Sequence, residues 1–357
     1  MQDKLDLYTD FLLTTVHQAT ATGLSKVVDG AVSHDSITRL LTENKFSSKD
    51  LWHSVKPLVR QHQTEEGCLI FDDSIIEKKY TDESPLVCWH FDHSTNRGVK
   101  GINLLTAFYH THHPDQELPL RVPVNFELIL KTIHFCDLKT KKEKRQSPVT
   151  KNELLRKMVQ QSIHNQLKFK YVLADSWFGS SENMLFIHRK KKFFIFDMKN
   201  NRKAALSEKD RNDGQWTRID ELDIPDNTPV KVWLKDLKIP VLLTKQVFKN
   251  KNQSTGVRFL VSNDFSLSDD DFTALYKKRW SVEEYHKSLK QNAAIAKSPT
   301  RTVKTQSNHL FASILAYVKL EKLKFVQQLN HFAIKSKIYL AASKAAFNEL
   351  SALKAIN

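Results

Sequence analysis

The chain has 357 residues, 40% of them hydrophobic, and its 55 Lys and Arg against 40 Asp and Glu leave a formal charge of +15. That length suffices for one large domain with an insertion, or for two or three smaller units, with a substantial core, and the charge favours a polyanionic partner, nucleic acid first. No apolar run approaches the ~20 residues that span a bilayer, the acidic start MQDKLDLYTD is unlike a signal peptide, and the scattered Cys68, Cys88 and Cys136 form no CxxC pair, so neither a membrane protein, a disulfide framework nor a structural zinc site is implied.

Residues 1 to about 66 read as helical. Ser33 is the predicted N-cap of a helix over His34–Leu41, and Ser47 or Ser48 opens another ahead of Pro57. Helix, short turn and helix with Arg39, Lys45 and Lys49 nearby suit a DNA-reading module and a plain helical bundle equally. From Cys68 the period changes to that of strands. CLIFDD is a short apolar run ending in two acids, LVCWHFD a second strand, STNRG a turn and GINLLTAFYH a third strand. LPLRVPVNFEL is a further extended run whose prolines place it at a sheet edge. His110, His112 and His113 read as a loop end before Pro114 and Asp115 rather than as a metal cluster. The run from Lys139 to Lys157, starting KTKKEKR, is net positive and reads as a solvated loop, with contact to a phosphate backbone as its functional alternative. A helix is predicted from about Thr150 to Leu167, then strand KYVLAD, helix SSENMLFIHRK and strand KKFFIFDM. Strands, helix, strand, helix, strand is the order of an α/β sheet with helices packed on it.

Residues 199–262 differ in character, with the alternating segments TPVKVWLK, IPVLLTKQVF and GVRFLVSND between polar turns, and read as a β-rich insertion. SDDDFTALYKK then opens a helix, with Ser268 as N-cap and the acids 269–271 suited to its positive end. Gln306 to about Phe325 is another helix, and the last 30 residues look helical without a chemical motif. The expected units are a helical region 1–66, a core in two parts over 67–198 and 263–328, the insertion 199–262 between them, and a helical tail 329–357.

Tyr276–Lys290, YKKRWSVEEYHKSLK, carries the densest pattern. Treated as one helix at about 100° per residue, Arg279, Glu283 and Lys290 fall roughly 60°, 20° and 40° to one side of Tyr276, while Leu275, Val282 and Leu289 form a separate apolar stripe. Tyr276 and Lys290 each lie roughly 10 Å along the axis from Glu283, a reach that suits successive phosphates on either side of a carboxylate. The plainer reading is ordinary pairing of Glu283 with Arg279 and Lys287, worth ~0.2 to 0.5 kcal/mol. Asp73 and Asp175 end two separate predicted strands, where each has an ordinary reading as a turn cap. Carboxylates at neighbouring strand ends, plus one from a covering helix, suit hard cations such as Mg²⁺. Two such ions ~3.5 to 4 Å apart activate the attacking oxygen and stabilise the leaving oxygen in phosphoryl transfer.

FDDS, YVLADSWF and Y-x2-R-x3-E-x6-K, within roughly residues 67–328, resemble the DDE transposases of bacterial insertion sequences, in the branch marked by that Y-R-E-K pattern. The resemblance implies a ribonuclease H-like α/β fold, a mixed sheet flanked by helices, with a β-rich insertion before the glutamate helix and an N-terminal helical region. It implies Asp73, Asp175 and Glu283 as catalytic, metal-binding residues, two Mg²⁺ ions with Mn²⁺ able to substitute, and Tyr276, Arg279, Lys287 and Lys290 as DNA-binding residues. Asp72 competes with Asp73, which is favoured because the small hydroxyl residue Ser74 follows it. Glu284 points about 100° away from Glu283 and off the polar face. The implied reaction is cleavage at element ends followed by joining to target DNA, with no organic cofactor and no covalent enzyme intermediate. Its partners are the terminal inverted repeats, the target DNA and a second copy of the chain, and its expected location is the bacterial cytoplasm, at the nucleoid when bound to DNA. A metal-dependent nuclease without strand transfer and a non-catalytic transposase-derived DNA-binding protein are the competing readings. Trp216 and Trp233 are read as core, with a flipped base as alternative. Trp177 and Phe178 are read as packing that fixes Asp175, and Trp280 as packing or DNA contact.

Overall fold

The computed structural model describes residues 2–355 apart from 93, 94, 139, 251 and 252. Four helices come first: α1 (Gln2–Thr14), α2 (Ala21–Val27), α3 (His34–Glu43) and α4 (Ser48–His62). Their caps fall where a short hydroxyl side chain meets an orphan N–H: Ser33 accepts from the Ser36 N–H, and Ser47 forms a capping box with Asp50. Helix α4 does not stop ahead of Pro57. Burial of Leu51, Trp52, Val55 and Val59 carries it across a residue that disfavours a helix interior by about 3 kcal/mol.

The sheet begins with β1 (Cys68–Glu77), β2 (Cys88–Asp92), β3 (Arg97–Thr111) and β4 (Leu120–Leu128). Strand β3 is antiparallel to β1 on one side and to β2 and β4 in succession on the other, so Gly101 lies opposite both Glu77 and Cys88. A Cβ at Gly101 would come within 2.4 Å of the Ile76 carbonyl oxygen, so only glycine permits this approach. Strand β4 pairs with β3 alone, and Pro123 sits at a register shift there, as expected of an edge. Ser94 of the predicted turn lies outside the described residues; Thr95 and Asn96 form a turn, with Asn96 at φ 51°. The basic run is not a loop alone: it supplies the second strand of a short hairpin, β5 (Ile133–Cys136) with β6 (Glu143–Gln146). Lys139, its first residue, lies outside the described residues. Cross-strand pairing of His134 with Glu143 and the Lys144–Asp137 ion pair accompany the hairpin.

Helix α5 (Lys151–His164), β7 (Tyr171–Ala174), α6 (Ser181–Arg189) and β8 (Phe193–Met198) follow. The order β4-β3-β1-β7-β8, antiparallel through β1 and parallel from β1 to β8, is a ribonuclease H-like core. The next segment holds β9 (Lys203–Ala205), α7 (Glu208–Asn212), β10 (Thr217–Arg218), β11 (Val230–Leu234), β12 (Val241–Lys249) and β13 (Thr255–Ser262). These strands extend the core sheet: β13 pairs antiparallel with β8, and β12, β11, β9 and β10 continue outward. Trp233 is buried in β11, and Trp216 is half-buried. Four helices close the chain: α8 (Asp269–Lys277), α9 (Trp280–Asn292), α10 (Val303–Gln327) and α11 (His331–Ala355). Ser268 caps α8 through a capping box with Asp271. Helix α10 packs against α1, α3, α4, β4 and α9, which draws the N-terminal helices into the same hydrophobic core as the sheet. Asn308 stitches this contact, accepting from the Phe46 N–H and donating to the Leu41 and Asn44 carbonyls. Among the described residues no helix is long and apolar enough to cross a membrane.

Candidate active site

Strand β1 is buried through Phe71 and opens at Asp72. Its parallel neighbour β7 ends at Ala174, opposite Phe71, whereas β1 runs on to Glu77. The crevice beyond the carboxyl end of such a strand is where α/β sheets present their ligands. Here it is a cavity of about 550 Å³, with Asp72, Asp73, Asp175, Lys131, Lys151 and Lys290 among its walls. Asp175 follows β7 directly, at a strand end as predicted. Asp73 does not end its strand: Ser74 to Glu77 continue the pairing with β3.

Alternation sends Asp72 and Asp73 to opposite faces of the sheet. One step beyond the Phe71–Ala174 pair, Asp72 stands level with Asp175. Its Oδ2 lies 3.6 Å from His286 Nδ1 on α9. Asp73 Oδ2 instead accepts from Asn103 Nδ2 at 2.7 Å and from Lys151 Nζ at 2.8 Å. Lys151 is the first residue of α5, placed by the Thr150–Glu153 capping box, and its ammonium lies 5.5 Å from the centre of the Trp177 ring. Asp175 Oδ1 accepts from the Trp177 N–H at 3.0 Å, a turn that holds the carboxylate in place. Trp177 is 47% exposed, so its backbone rather than ring packing fixes Asp175, while Phe178 is fully buried as expected.

Tyr276–Lys290 is not one helix. Helix α8 ends at Lys277 and α9 begins at Trp280, and the N–H groups of Lys278, Arg279, Ser281 and Val282 bond three residues back, the tighter 3₁₀ pattern. The resulting change of phase places Tyr276 inside, 3% exposed, with its hydroxyl 3.5 Å from the Ala174 carbonyl oxygen. The Arg258 and Arg279 guanidiniums lie 4.9 and 5.7 Å from its ring centre. Arg279 Nη2 donates to Glu283 Oε1 at 2.7 Å. Lys290 is exposed and lines the cavity; Lys287 is exposed and lies over the Phe332 ring of α11 at 5.1 Å. Glu284 pairs with Arg121 at 2.6 Å, away from this group. Val282 and Leu289 are buried, with Leu275 packed at their edge, so the apolar stripe holds.

The acids repel one another. Burial pushes the Asp72 carboxyl up to about 7, and Asp175, Asp73 and Glu283 add to the rise against the pull of Arg279. Burial also raises Asp175, opposed by the Trp177 N–H and by Arg279, and the Asp73 carboxylate adds to the rise. Burial, with Lys290 and Arg279, drives His286 down to about 3 against the pull of Asp73, so it faces Asp72 as a neutral ring; its buried Nε2 has no hydrogen-bond partner. Burial works against the charge of Arg279, but Tyr276, Asp72, Glu283 and Asp175 outweigh it and raise its pKa.

This donor set fits a divalent cation. Its oxygens are carboxylate oxygens, as hard cations prefer, and a cation among them relieves the repulsion that raises Asp72. Among the described residues no three His, Cys, Asp or Glu side chains are already gathered into an ion cage. Asp73 is turned to Lys151 and Glu283 to Arg279, so ion entry at these two carboxylates requires those pairs to open. Sequence reasoning missed Lys151, Asn103 and His286 as neighbours of the β1 acids. Lys151 lay in the basic run already noted, but nothing local ties it to an acid 78 positions away. The histidines near β3 do not form a metal group: His110 bonds with Ser281 Oγ at 3.2 Å and His112 with the Gln116 carbonyl at 2.7 Å.

The strand order, the acids around the carboxyl end of β7 and the cations beside them define the class, a ribonuclease H-like core of the kind that works on phosphodiesters. The family model described as DDE superfamily endonuclease matches residues 1–229, and the chain belongs to that family. The matched span contains Asp72, Asp73 and Asp175 and ends ahead of α8 and α9. No curated protein matches the chain.

Proposed function

We propose that the protein is a DNA transposase of the Y-R-E-K branch, cleaving the ends of its insertion sequence and joining them to target DNA by phosphoryl transfer. The observation that carries this reading is the convergence of Asp72, Asp175 and the Arg279–Glu283 pair at the opening beyond β7, with Lys290 and Lys151 on the cavity wall. Asp175 and Glu283 are the strand-end and helix ligands for divalent ions, and β1 supplies the third. Geometry favours Asp72 for that place over Asp73, because Asp72 stands level with Asp175 and faces α9, whereas one Asp73 oxygen already takes two donors. Bound there, two Mg²⁺ ions, or Mn²⁺ in their place, would activate the attacking oxygen and stabilise the leaving one.

Arg279 is held against Tyr276 and Glu283, which suits a guanidinium that must meet a phosphate in fixed geometry. Tyr276 serves this arrangement from beneath as a positioning residue, and Lys290 and Lys287 act on the DNA backbone as point charges. Two copies acting on paired ends complete the reading. The test is incubation of purified protein with Mg²⁺ and DNA carrying the element's terminal repeats: nicked ends and then joined products are expected. Glu283→Ala should remove cleavage while leaving DNA binding largely intact, and undiminished cleavage by this variant would sink the assignment. The family description, an endonuclease, favours cleavage without joining as a second reading. End cleavage with no joined product would establish that reading instead.

A further inference from the structure

Among the described residues Lys151 and Arg279 pair with acids of the candidate site, and they are held very differently. Arg279 is fastened on two sides, by the Tyr276 ring and by Glu283, and its side chain is 16% exposed. Lys151 reaches Asp73 on a flexible four-carbon stem from the first turn of α5, its side chain is 25% exposed, and its other contact is the Trp177 ring, itself half exposed to solvent. Asp73 does not depend on Lys151 alone, because Asn103 Nδ2 donates to the same oxygen. The ammonium can therefore leave without stranding a carboxylate that has no other donor.

We infer that Lys151 is a built-in, displaceable counterion: it neutralises Asp73, which lines the cavity together with Asp72, in the ion-free protein, and when divalent cations entering that cavity draw on the Asp73 carboxylate as well, it is released to bind a DNA phosphate beside the cavity. This rests on the ion-binding reading of the site given above. Two consequences follow from charge alone. Lys151 competes with entering cations, so removing its charge tightens ion binding. Its phosphate contact exists only once ions have displaced it, so its share of the salt dependence of DNA binding appears only with ions present.

Both consequences are read without catalysis. Terbium(III) titration, followed by emission sensitised through Trp177, measures ion binding, and loss of that signal in Asp175→Asn assigns it to this site. Lys151→Gln is expected to bind terbium about fivefold more tightly than wild type, on the scale of one partly exposed charge pair, and Lys151→Arg to bind as wild type does. In EDTA, wild type and Lys151→Gln should show the same slope of log affinity for DNA against log salt. With Ca²⁺ present the variant's slope should be shallower by about one phosphate contact. If Lys151→Gln does not fold, Lys151→Met, with a stem of similar reach and no charge, carries the same measurements. Terbium affinity unchanged or weakened in the neutral variant overturns the inference, and so does a slope difference that is the same in EDTA and Ca²⁺. Absence of any terbium signal in folded wild type overturns the ion site itself, and the counterion role with it.

Discussion

Asp72 and Asp73 are neighbours in sequence and opposites in surroundings. Asp72 looks into α9, where His286 is buried and neutral, Arg279 is braced by Tyr276, and the carboxyl is pushed up to about 7 by burial and by other acids. Asp73 looks towards α5 and β3, where Lys151 and Asn103 satisfy it, beside the cavity that both acids line. The α9 side is packed and electrostatically uncomfortable; the α5 side is loose and already neutralised. Discomfort of this kind marks a place that favours a cation, whereas a carboxylate with two donors on one oxygen is closer to content. For the proposed ion site the comparison therefore supports Asp72 in the central place and Asp73 in a supporting one.

The strongest way to break this comparison is to remove each carboxylate's charge separately. Asp72→Asn is expected to slow end cleavage on the order of 10³-fold, as loss of a central electrostatic contact does. Asp73→Asn, whose acid holds Lys151 until ions enter, should slow it only about tenfold, the effect of misplacing a single charge. Single-turnover cleavage of end DNA measures both, and the reverse ranking would return the role to Asp73.

The packed character of the α9 side has its own test in Tyr276. Its ring is buried beneath the break between α8 and α9, so Tyr276→Ala should lower stability by about 3 to 5 kcal/mol, as large aromatic truncations in cores do. Urea unfolding measures this. A variant of wild-type stability with weakened DNA binding would instead make Tyr276 a direct DNA contact.

The electrostatic strain at Asp72 predicts a dependence on pH. Its folded value, about 7, lies above the unfolded value near 4, so its contribution to stability is complete below about pH 4 and is lost as pH rises through 7. Without divalent ions, Asp72→Asn should therefore gain on wild type as pH increases from 5 to 8, by on the order of 2 kcal/mol. His286 titrates in both proteins and largely cancels in the difference. A difference that stays flat across this range would mean that Asp72 is not strained.

Much of this arrangement was legible in the sequence. Ser33 and Ser268 capped helices because each hydroxyl precedes a periodic apolar run, and LVCWHFD, KYVLAD and KKFFIFDM became strands on their alternation or apolar continuity. Asp175 at a strand end and Glu283 on the helix after the inserted strands lie where position and pattern put them. The extent of β1 was misjudged because two acids looked like a terminus, although SIIE continues the pairing beyond them. The break at Lys278–Arg279 was invisible, since every residue there tolerates a helix and only tertiary packing of Tyr276 reveals the change of phase. Choosing between Asp72 and Asp73 required the register of β1 against β7, a non-local fact. The small hairpin was missed because its first strand, IHFC, is only four residues long and its second, EKRQ in the basic run, carries no apolar residue.

The smallest expected effect compares two lysines one turn apart on α9. Lys290 is exposed and lines the cavity, whereas Lys287 lies over Phe332 and so has a partner within the protein. A phosphate contact releases about one counterion, which makes the salt slope of DNA binding the direct reading of each residue's share. Lys290→Ala should make that slope shallower by about one, with the loss of affinity similar on end DNA and on unrelated duplex. Lys287→Ala should change the slope less, because leaving Phe332 offsets part of what its charge gains from a phosphate, and should lower stability by about 0.5 to 1 kcal/mol, the scale of an exposed cation–π contact. Equal slopes for the two variants would mean that the α11 contact does not restrain Lys287, and the division of this helix into a DNA-facing side and a packed side would lose its last turn.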